Sequence, residues 1–287
     1  MTIEAFAKVN FTLEVFAERA DGFHALRSLV APVTFSDTLV VEDSGDGMVT
    51  SDAPYADDLC VRAALALRKT AGSAAAGRGA RISIKKRIPA GGGLGGGSAD
   101  AAATLVALNS IWDLGLTPER LAAIGAAAGS DVPALVLSRF CGPVIMEGRG
   151  EIVRKAEGGP FPEVELVFAN PGVHSSTPEV YAACTPRVAD STQILYNMLS
   201  ALRSGDADAI ADAMQNDLEE AAVGLHPEIG KALEAMLACG VRRAMVDGSG
   251  STVFGPVPNG ASGEEIARRL QNRGLAATAA KTRCPVV

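Results

Sequence analysis

Six glycines occupy seven consecutive positions between Gly91 and Gly97, in the run Pro89-Ala90-Gly91-Gly92-Gly93-Leu94-Gly95-Gly96-Gly97-Ser98. Without Cβ atoms, such a run leaves its backbone N–H groups unobstructed. A helix starting at its end would aim unpaired N–H groups and the positive end of its dipole at the same place. The chemistry this favours is polyphosphate binding. A flexible connection is the plainer alternative, but a linker has no need of this glycine density between a strand pattern and a strong helix pattern. The P-loop is excluded, because Ser98 stands where its lysine is required. Gly91, Gly93 and Gly96 satisfy Gly-x-Gly-x-x-Gly, with Asp113 at the distance of a ribose-binding acid. A dinucleotide fold, however, wants an apolar strand before the loop and the acid at the end of a second strand. Arg81 to Arg87 is rich in Lys and Arg, and Asp113 closes a helix pattern. An oxidoreductase is therefore a minor alternative.

Two charged residues elsewhere invite attention. Asp131 lies in Gly129-Ser130-Asp131-Val132-Pro133, where an acid at a helix start stabilised by the dipole is the simple reading. Lys8 lies in a stretch where Ile3, Ala5, Ala7, Val9, Phe11, Leu13 and Val15 alternate with mostly polar residues. That is the period of a strand with one buried face, so Lys8, Asn10 and Thr12 share the other. Taken alone, Lys8 is an exposed strand lysine.

The elements that must position these groups follow the same patterns. Thr38 to Glu42 predicts a strand, and Asp57 to Ala71 a helix ended by Gly72, followed by a small-residue loop to Gly79. Arg81 to Ile88 alternates as a strand that feeds the glycine run, and a helix follows from Ser98 to Trp112. Thr117 is a good N-cap with Pro118 behind it, for a helix ending near Gly129. A third short helix is expected around Ser130 and Asp131. Beyond Gly150 the chain restarts with a strand at Glu163 to Ala169, then several helices between Thr192 and Cys239. Arg242 to Val246 and Thr252 to Gly255 read as strands around Gly248-Ser249-Gly250. Ser262 with Glu265 forms a capping box for a further helix, and Ala276 to Thr282 a last strand. The sum is an α+β protein of two lobes, 1–150 and 151–287.

Composition narrows the class. The 287 residues are 48% hydrophobic and 21% charged, enough for one large core or two ordinary ones. A net charge of −7 argues against nucleic acid or anionic lipid as partner. Apolar runs fall short of the roughly 18–20 residues a membrane span needs. Met1-Thr2-Ile3-Glu4 carries no secretory pattern, which reads as cytoplasmic. The five cysteines are scattered and unpaired in sequence, fitting reduced thiols, and three histidines without His-Glu-x-x-His give no transition-metal site.

The motifs together resemble a known family. Pro89 to Asp100 is similar to the ATP-phosphate loop of the GHMP kinases. Ala7-Lys8-Val9-Asn10, Arg19-Ala20-Asp21-Gly22-Phe23-His24, Gly129 to Pro133 and Asp247-Gly248-Ser249-Gly250-Ser251 resemble, in order, motifs of the branch that phosphorylates 4-diphosphocytidyl-2-C-methyl-D-erythritol. The resemblance spans essentially the whole chain. It implies an N-terminal lobe like ribosomal protein S5 domain 2, a C-terminal ferredoxin-like lobe, and a site between them. It further implies phosphorylation of the substrate 2-hydroxyl, in the methylerythritol phosphate route to isoprenoid precursors. ATP is the co-substrate, with Mg²⁺ carried largely by phosphates and water, and the protein would be a monomer or homodimer.

By the same resemblance Asp131 is the base that takes the hydroxyl proton, and Lys8 sits near it and neutralises the transferring phosphoryl group. Asn10 orients substrate. Phe23, in place of the more usual Tyr, and His24 hold cytosine, with Tyr181 closing over the base and Thr177 nearby. Pro89 to Ser98 bind the ATP phosphates, Lys86 and Asp58 lie on the adenine side, and Gly248 and Ser249 approach from the second lobe. Two further residues depart from the pattern: Asp58 stands where many relatives have Asn, and Asp247 where small residues are commoner, and a carboxylate there must point away from phosphate. A homoserine or mevalonate kinase of the same superfamily is the enzymatic rival, and a non-catalytic nucleotide sensor the rival of another class.

Overall fold

In a computed structural model, which describes residues 1–20, 22–53, 57–187 and 192–284, the chain forms two lobes, each a sheet with helices. Asp21, within the Asp-Gly-Phe-His motif, lies outside the described residues.

The first lobe is organised by two long strands, β1 (Thr2–Glu18) and β2 (His24–Asp43), paired antiparallel. The alternation in β1 is real: Ala5, Ala7, Val9 and Phe11 are buried in the core between sheet and helices. Lys8, Asn10 and Thr12 are buried too, because the second lobe covers the other face. The register shifts between Phe6 and Lys8 and between Asn10 and Thr12, irregularities that re-aim side chains where the site forms. β2 is longer than the Thr38–Glu42 pattern suggests. Its middle, Leu29 to Val33, is buried on both faces, which erases the alternation that would have revealed it.

β3 (Val49–Ser51), β4 (Ala80–Lys85), β5 (Val144–Gly148) and β6 (Ile152–Lys155) complete this sheet, with the two-residue β8 (Gln215–Asn216). β6 pairs with β5, so the first sheet runs past the division expected at Gly150. Against it pack α1 (Leu59–Ala71), α2 (Gly96–Ile111), α3 (Pro118–Gly125) and α4 (Val132–Cys141). The expected caps form: Thr117 Oγ1 accepts from Arg120 N, and Gly72 closes α1. α3 stops four residues short of Gly129, and the segment after Gly72 is a short 3₁₀ turn. α2 is apolar on almost all sides, with Ala99, Ala101, Ala102, Leu105 and Leu108 buried, as befits a central helix.

The second lobe carries the antiparallel sheet β11-β7-β10-β9: β7 (Glu165–Asn170), β9 (Met245–Val246), β10 (Val253–Pro256) and β11 (Ala276–Lys281). Its helices are α5 (Thr177–Ala183), α6 (Gln193–Ser204), α7 (Ala207–Ala213), α8 (Glu219–Leu225), α9 (Pro227–Ala238) and α10 (Gly263–Gln271). Ser262 Oγ caps α10 by accepting from Glu265 N. Backbone pairing between the lobes includes β8 parallel to β1 and a bridge between Val33 and Thr282.

Candidate active site

A cavity of about 510 Å³ opens between the lobes. Its walls are β1 with Lys8 and Asn10, the glycine loop, the start of α1, Asp131 at the head of α4, and Thr177, Tyr181, Gly248 and Ser249 of the second lobe.

β4 ends at Lys85, the glycine loop crosses the cavity, and α2 begins at Gly96. Gly95 is the N-cap at φ +69°, a conformation natural to glycine, and it offers no side chain to the first N–H groups of α2. Those groups are thus available to an anion. The glycines do two different jobs. At Gly93, with φ +83°, an added Cβ would sit 2.2 Å from the Asp247 carbonyl oxygen, so glycine there permits the two lobes to meet. At Gly97 the nearest atom to an added Cβ is 3.7 Å away, on Leu59, so that position is open toward the cavity. Leu94 departs from the rest of the glycine loop: its apolar side chain is buried in the core, and its carbonyl accepts from Lys8 N at 3.2 Å. It anchors the loop to β1.

Lys8 and Asn10 point into the gap, but Lys8 does not pair with Asp131. Its ammonium donates to Asn10 Oδ1 and lies 3.5 Å from Asp247 Oδ2. Asp247 Oδ1 accepts from Asn10 N at 2.7 Å. Asn10 Nδ2 donates to Ser28 Oγ at 2.7 Å, fixing the amide. The Asp247 carboxylate therefore faces β1 and not the glycine loop. Burial pushes its carboxyl up to about 6 against the opposing pull of Lys8 and the Asn10 N–H, and Asp131 adds to the rise. The sequence marked Asp247 only as an oddity; its pairing with β1 joins residues 237 positions apart.

The C-lobe loop is held from behind. Asn216 Nδ2 donates to the carbonyls of Val246 and Gly248, both at 2.8 Å. Ser249 Oγ and Thr177 Oγ1 share a hydrogen bond at 2.8 Å, and Ser175 Oγ donates to Ser249 O at 2.6 Å.

At the other end of the cavity Tyr181 lines the wall, and the His24 ring, itself outside the wall, stacks on it with centroids 6.1 Å apart and 26° between planes. His24 Nδ1 lies 2.9 Å from Phe16 O. A carbonyl can only accept, so Nδ1 carries the hydrogen of this contact. Burial, with the Asp131 charge second, raises the Tyr181 phenol and keeps it protonated. Phe23 is placed differently from a base-stacking residue: it is 53% exposed, beneath the Arg149 guanidinium at 5.2 Å, and is not in the cavity wall.

On the remaining side, Asp58 caps α1 by accepting from Cys60 N at 2.8 Å. Lys86 is clasped by Asp37 and by Asp100, the latter at 2.6 Å. Both therefore line the cavity while carrying structural duties, which the sequence did not reveal. Two carboxylates share one ammonium here, and burial pushes the Asp100 carboxyl up to about 7 despite Lys86. Among the described residues no group of three or more His, Cys, Asp or Glu is placed to hold a metal ion.

Comparison with known proteins agrees with this geometry. The profile of the GHMP kinases N terminal domain matches residues 58–139, and that of the GHMP kinases C terminal domain residues 198–276. The 4-diphosphocytidyl-2-C-methyl-D-erythritol kinase of Symbiobacterium thermophilum is 39% identical over 94% of this chain and 95% of its own. Its namesake from Moorella thermoacetica is 38% identical with the same coverage. A crystal structure of 4-(cytidine 5'-diphospho)-2C-methyl-D-erythritol kinase superposes with a TM-score of 0.80, at 36% identity over 98% of both chains. Homoserine kinase from Cytophaga hutchinsonii shares the fold, with a TM-score of 0.74 at 17% identity over 99% of this chain and 94% of its own.

Proposed function

The chain belongs to the GHMP kinases, in the family of 4-diphosphocytidyl-2-C-methyl-D-erythritol kinases, and from this we propose that it transfers the γ-phosphoryl group of ATP to the 2-hydroxyl of 4-diphosphocytidyl-2-C-methyl-D-erythritol. The product serves the methylerythritol phosphate route to isoprenoid precursors. The observation that carries the reading is one continuous cavity with a glycine loop and helix N-terminus at one side, Tyr181 stacked on His24 at another, and Asp131 with Lys8 in its wall.

Phosphoryl transfer asks the protein for position and charge more than for covalent chemistry. The loop from Pro89 to Ser98 cradles the ATP phosphates through backbone N–H groups. Bound with ATP, Mg²⁺ would supply neutralisation of phosphate charge, held chiefly by phosphate oxygens and water. The substrate hydroxyl oxygen attacks the γ-phosphorus, the bond to the β-bridging oxygen breaks, and the hydroxyl proton passes to the Asp131 carboxylate. The Lys8 ammonium offsets negative charge on the group in flight.

Cytosine recognition rests on the His24 tautomer. With Nδ1–H donated to Phe16 O, the neutral imidazole offers Nε2 as an acceptor, the complement of an exocyclic amino group. Tyr181 supplies the aromatic face. Phe23 is a rim residue that would reach the base only by swinging from Arg149. Asn10 and Thr177 line the path of the substrate, and Gly248 and Ser249 close it from the second lobe.

The test is ADP release from purified protein with ATP, Mg²⁺ and 4-diphosphocytidyl-2-C-methyl-D-erythritol, beside homoserine and mevalonate controls. Release with the cytidyl substrate alone supports the reading. Release with a control alone keeps the kinase and discards the cytosine pocket, and no release with any acceptor turns the site into a nucleotide sensor.

A further inference from the structure

We propose that Asp247 is a positioning residue for phosphoryl transfer, which reaches across the lobe boundary to hold the Lys8 ammonium and the Asn10 backbone in their working places. The inference rests on the kinase reading of the same site.

A carboxylate with no solvent exposure is costly unless its charge and lone pairs are met. Asp247 meets them entirely with groups of β1: Asn10 N on one oxygen, Lys8 Nζ near the other. The residue is itself firmly seated. Its backbone N donates to Thr252 O at 2.9 Å, its carbonyl packs against Gly93, and the next carbonyl, of Gly248, is held by Asn216. One residue thus touches the strand of Lys8, the glycine loop and the second-lobe loop at once. An ammonium has three donors; Asn10 Oδ1 and Asp247 occupy two, which leaves one for a phosphate oxygen. Held this way, Lys8 is oriented before ATP arrives, and its charge is offset without consuming Asp131, whose carboxylate stays available as the base.

The charged groups facing Asp247 are Lys8 from β1 and Asp131 from the head of α4, with Glu219 of α8 bonded to the adjoining Val246 N. Burial, Lys8 and Asp131 place its titration at about 6. Above that pH the tether is ionised and holds the ammonium; below it the carboxyl is neutral and the charge contact is lost.

The experiment compares wild type with Asp247→Asn, which keeps an acceptor for Asn10 N but removes the charge. In the variant, kcat falls about tenfold or more while KM for ATP stays within about twofold, since the loop still binds the nucleotide. The wild-type kcat declines below about pH 6, and the component of this acid limb with a midpoint near 6 is lost in Asp247→Asn, leaving only that of the base Asp131. Independently of turnover, the Lys8 13Cε resonance of the wild type shifts with a midpoint near pH 6, and the shift is absent from the variant. A variant with wild-type kcat and an unchanged acid limb overturns the proposal, as does a Lys8 resonance that ignores pH from 5 to 8. The resonance in the wild type also decides the matter should the variant fail to fold. Absence of kinase activity in the wild type would instead count against the functional reading, with the Lys8 titration still testing the tether.

Discussion

His24 and Tyr181 stack across the two lobes, 6.1 Å between ring centroids, one ring from the start of β2 and the other from α5. The two rings come from different lobes, so the cytosine role proposed for them depends on the lobes being docked.

Replacing Tyr181 by Ala removes the aromatic face while leaving the His24 hydrogen bond to Phe16 O. KM for the cytidyl substrate is expected to rise roughly five- to 150-fold, matching ~1–3 kcal/mol for stacking of a base. KM for ATP should hardly move, and steady-state kinetics with each substrate varied in turn reads both. An effect on ATP alone would contradict the assignment.

Asp131→Asn preserves size and the head of α4 but cannot accept the hydroxyl proton. Turnover should drop by about 10²- to 10⁴-fold, the range of general base contributions. ATP affinity by calorimetry should persist, because the glycine loop holds the nucleotide. Unchanged turnover would remove Asp131 from the mechanism.

Gly97→Ala separates folding from phosphate binding. The position is helical and an added methyl meets nothing nearer than 3.7 Å, so the fold accepts it and the melting temperature holds or rises slightly. The methyl nevertheless narrows the approach to the first turn of α2, so KM for ATP should rise severalfold. A variant with native ATP kinetics would place the phosphates elsewhere. Gly93→Ala is the contrast: with φ +83° and the Asp247 carbonyl in the way, it should destabilise the lobe contact outright.

Asp100 makes stability depend on pH. Its folded carboxyl titrates near 7, above the ordinary 3.8, because burial outweighs the contacts with Lys86. The folded state thus keeps a proton that the unfolded chain releases, and this contribution is present below about pH 4 and lost as pH rises through about 7. In urea unfolding at pH 5 and pH 8, Asp100→Asn should lose less stability between the two values than wild type does. Equal losses would show that the clasp around Lys86 keeps Asp100 ionised throughout.

Much of the lobe architecture is legible locally. Thr117 and Ser262 cap the helices their sequences announce, and the alternation of Ile3 to Val15 marks a strand with a buried face. The parts that escaped are those where a second layer covers what a single sheet would expose. β2 hides its central residues on both faces, and the hairpin of β5 and β6 is short and lies against the edge of a sheet whose other members are far away in sequence. The glycine run between a strand and a helix was legible, but not that Gly93 serves lobe contact and Leu94 anchors the loop in the core.

What the sequence by itself determined is the chemistry on offer: a glycine loop opening a helix, a strand with Lys8 and Asn10 on one face, an acid at a helix head, and motifs that place the chain in its family. These lie within windows of a few residues, where backbone propensity and side-chain spacing act directly. Only the tertiary structure decided which charges meet. Lys8 pairs with Asp247 and not with Asp131, Lys86 is divided between Asp37 and Asp100, and His24 finds Tyr181, each through contacts that link separate elements. Such pairings depend on how the two lobes dock, and the buried charges choose partners by distance and desolvation once water has been excluded.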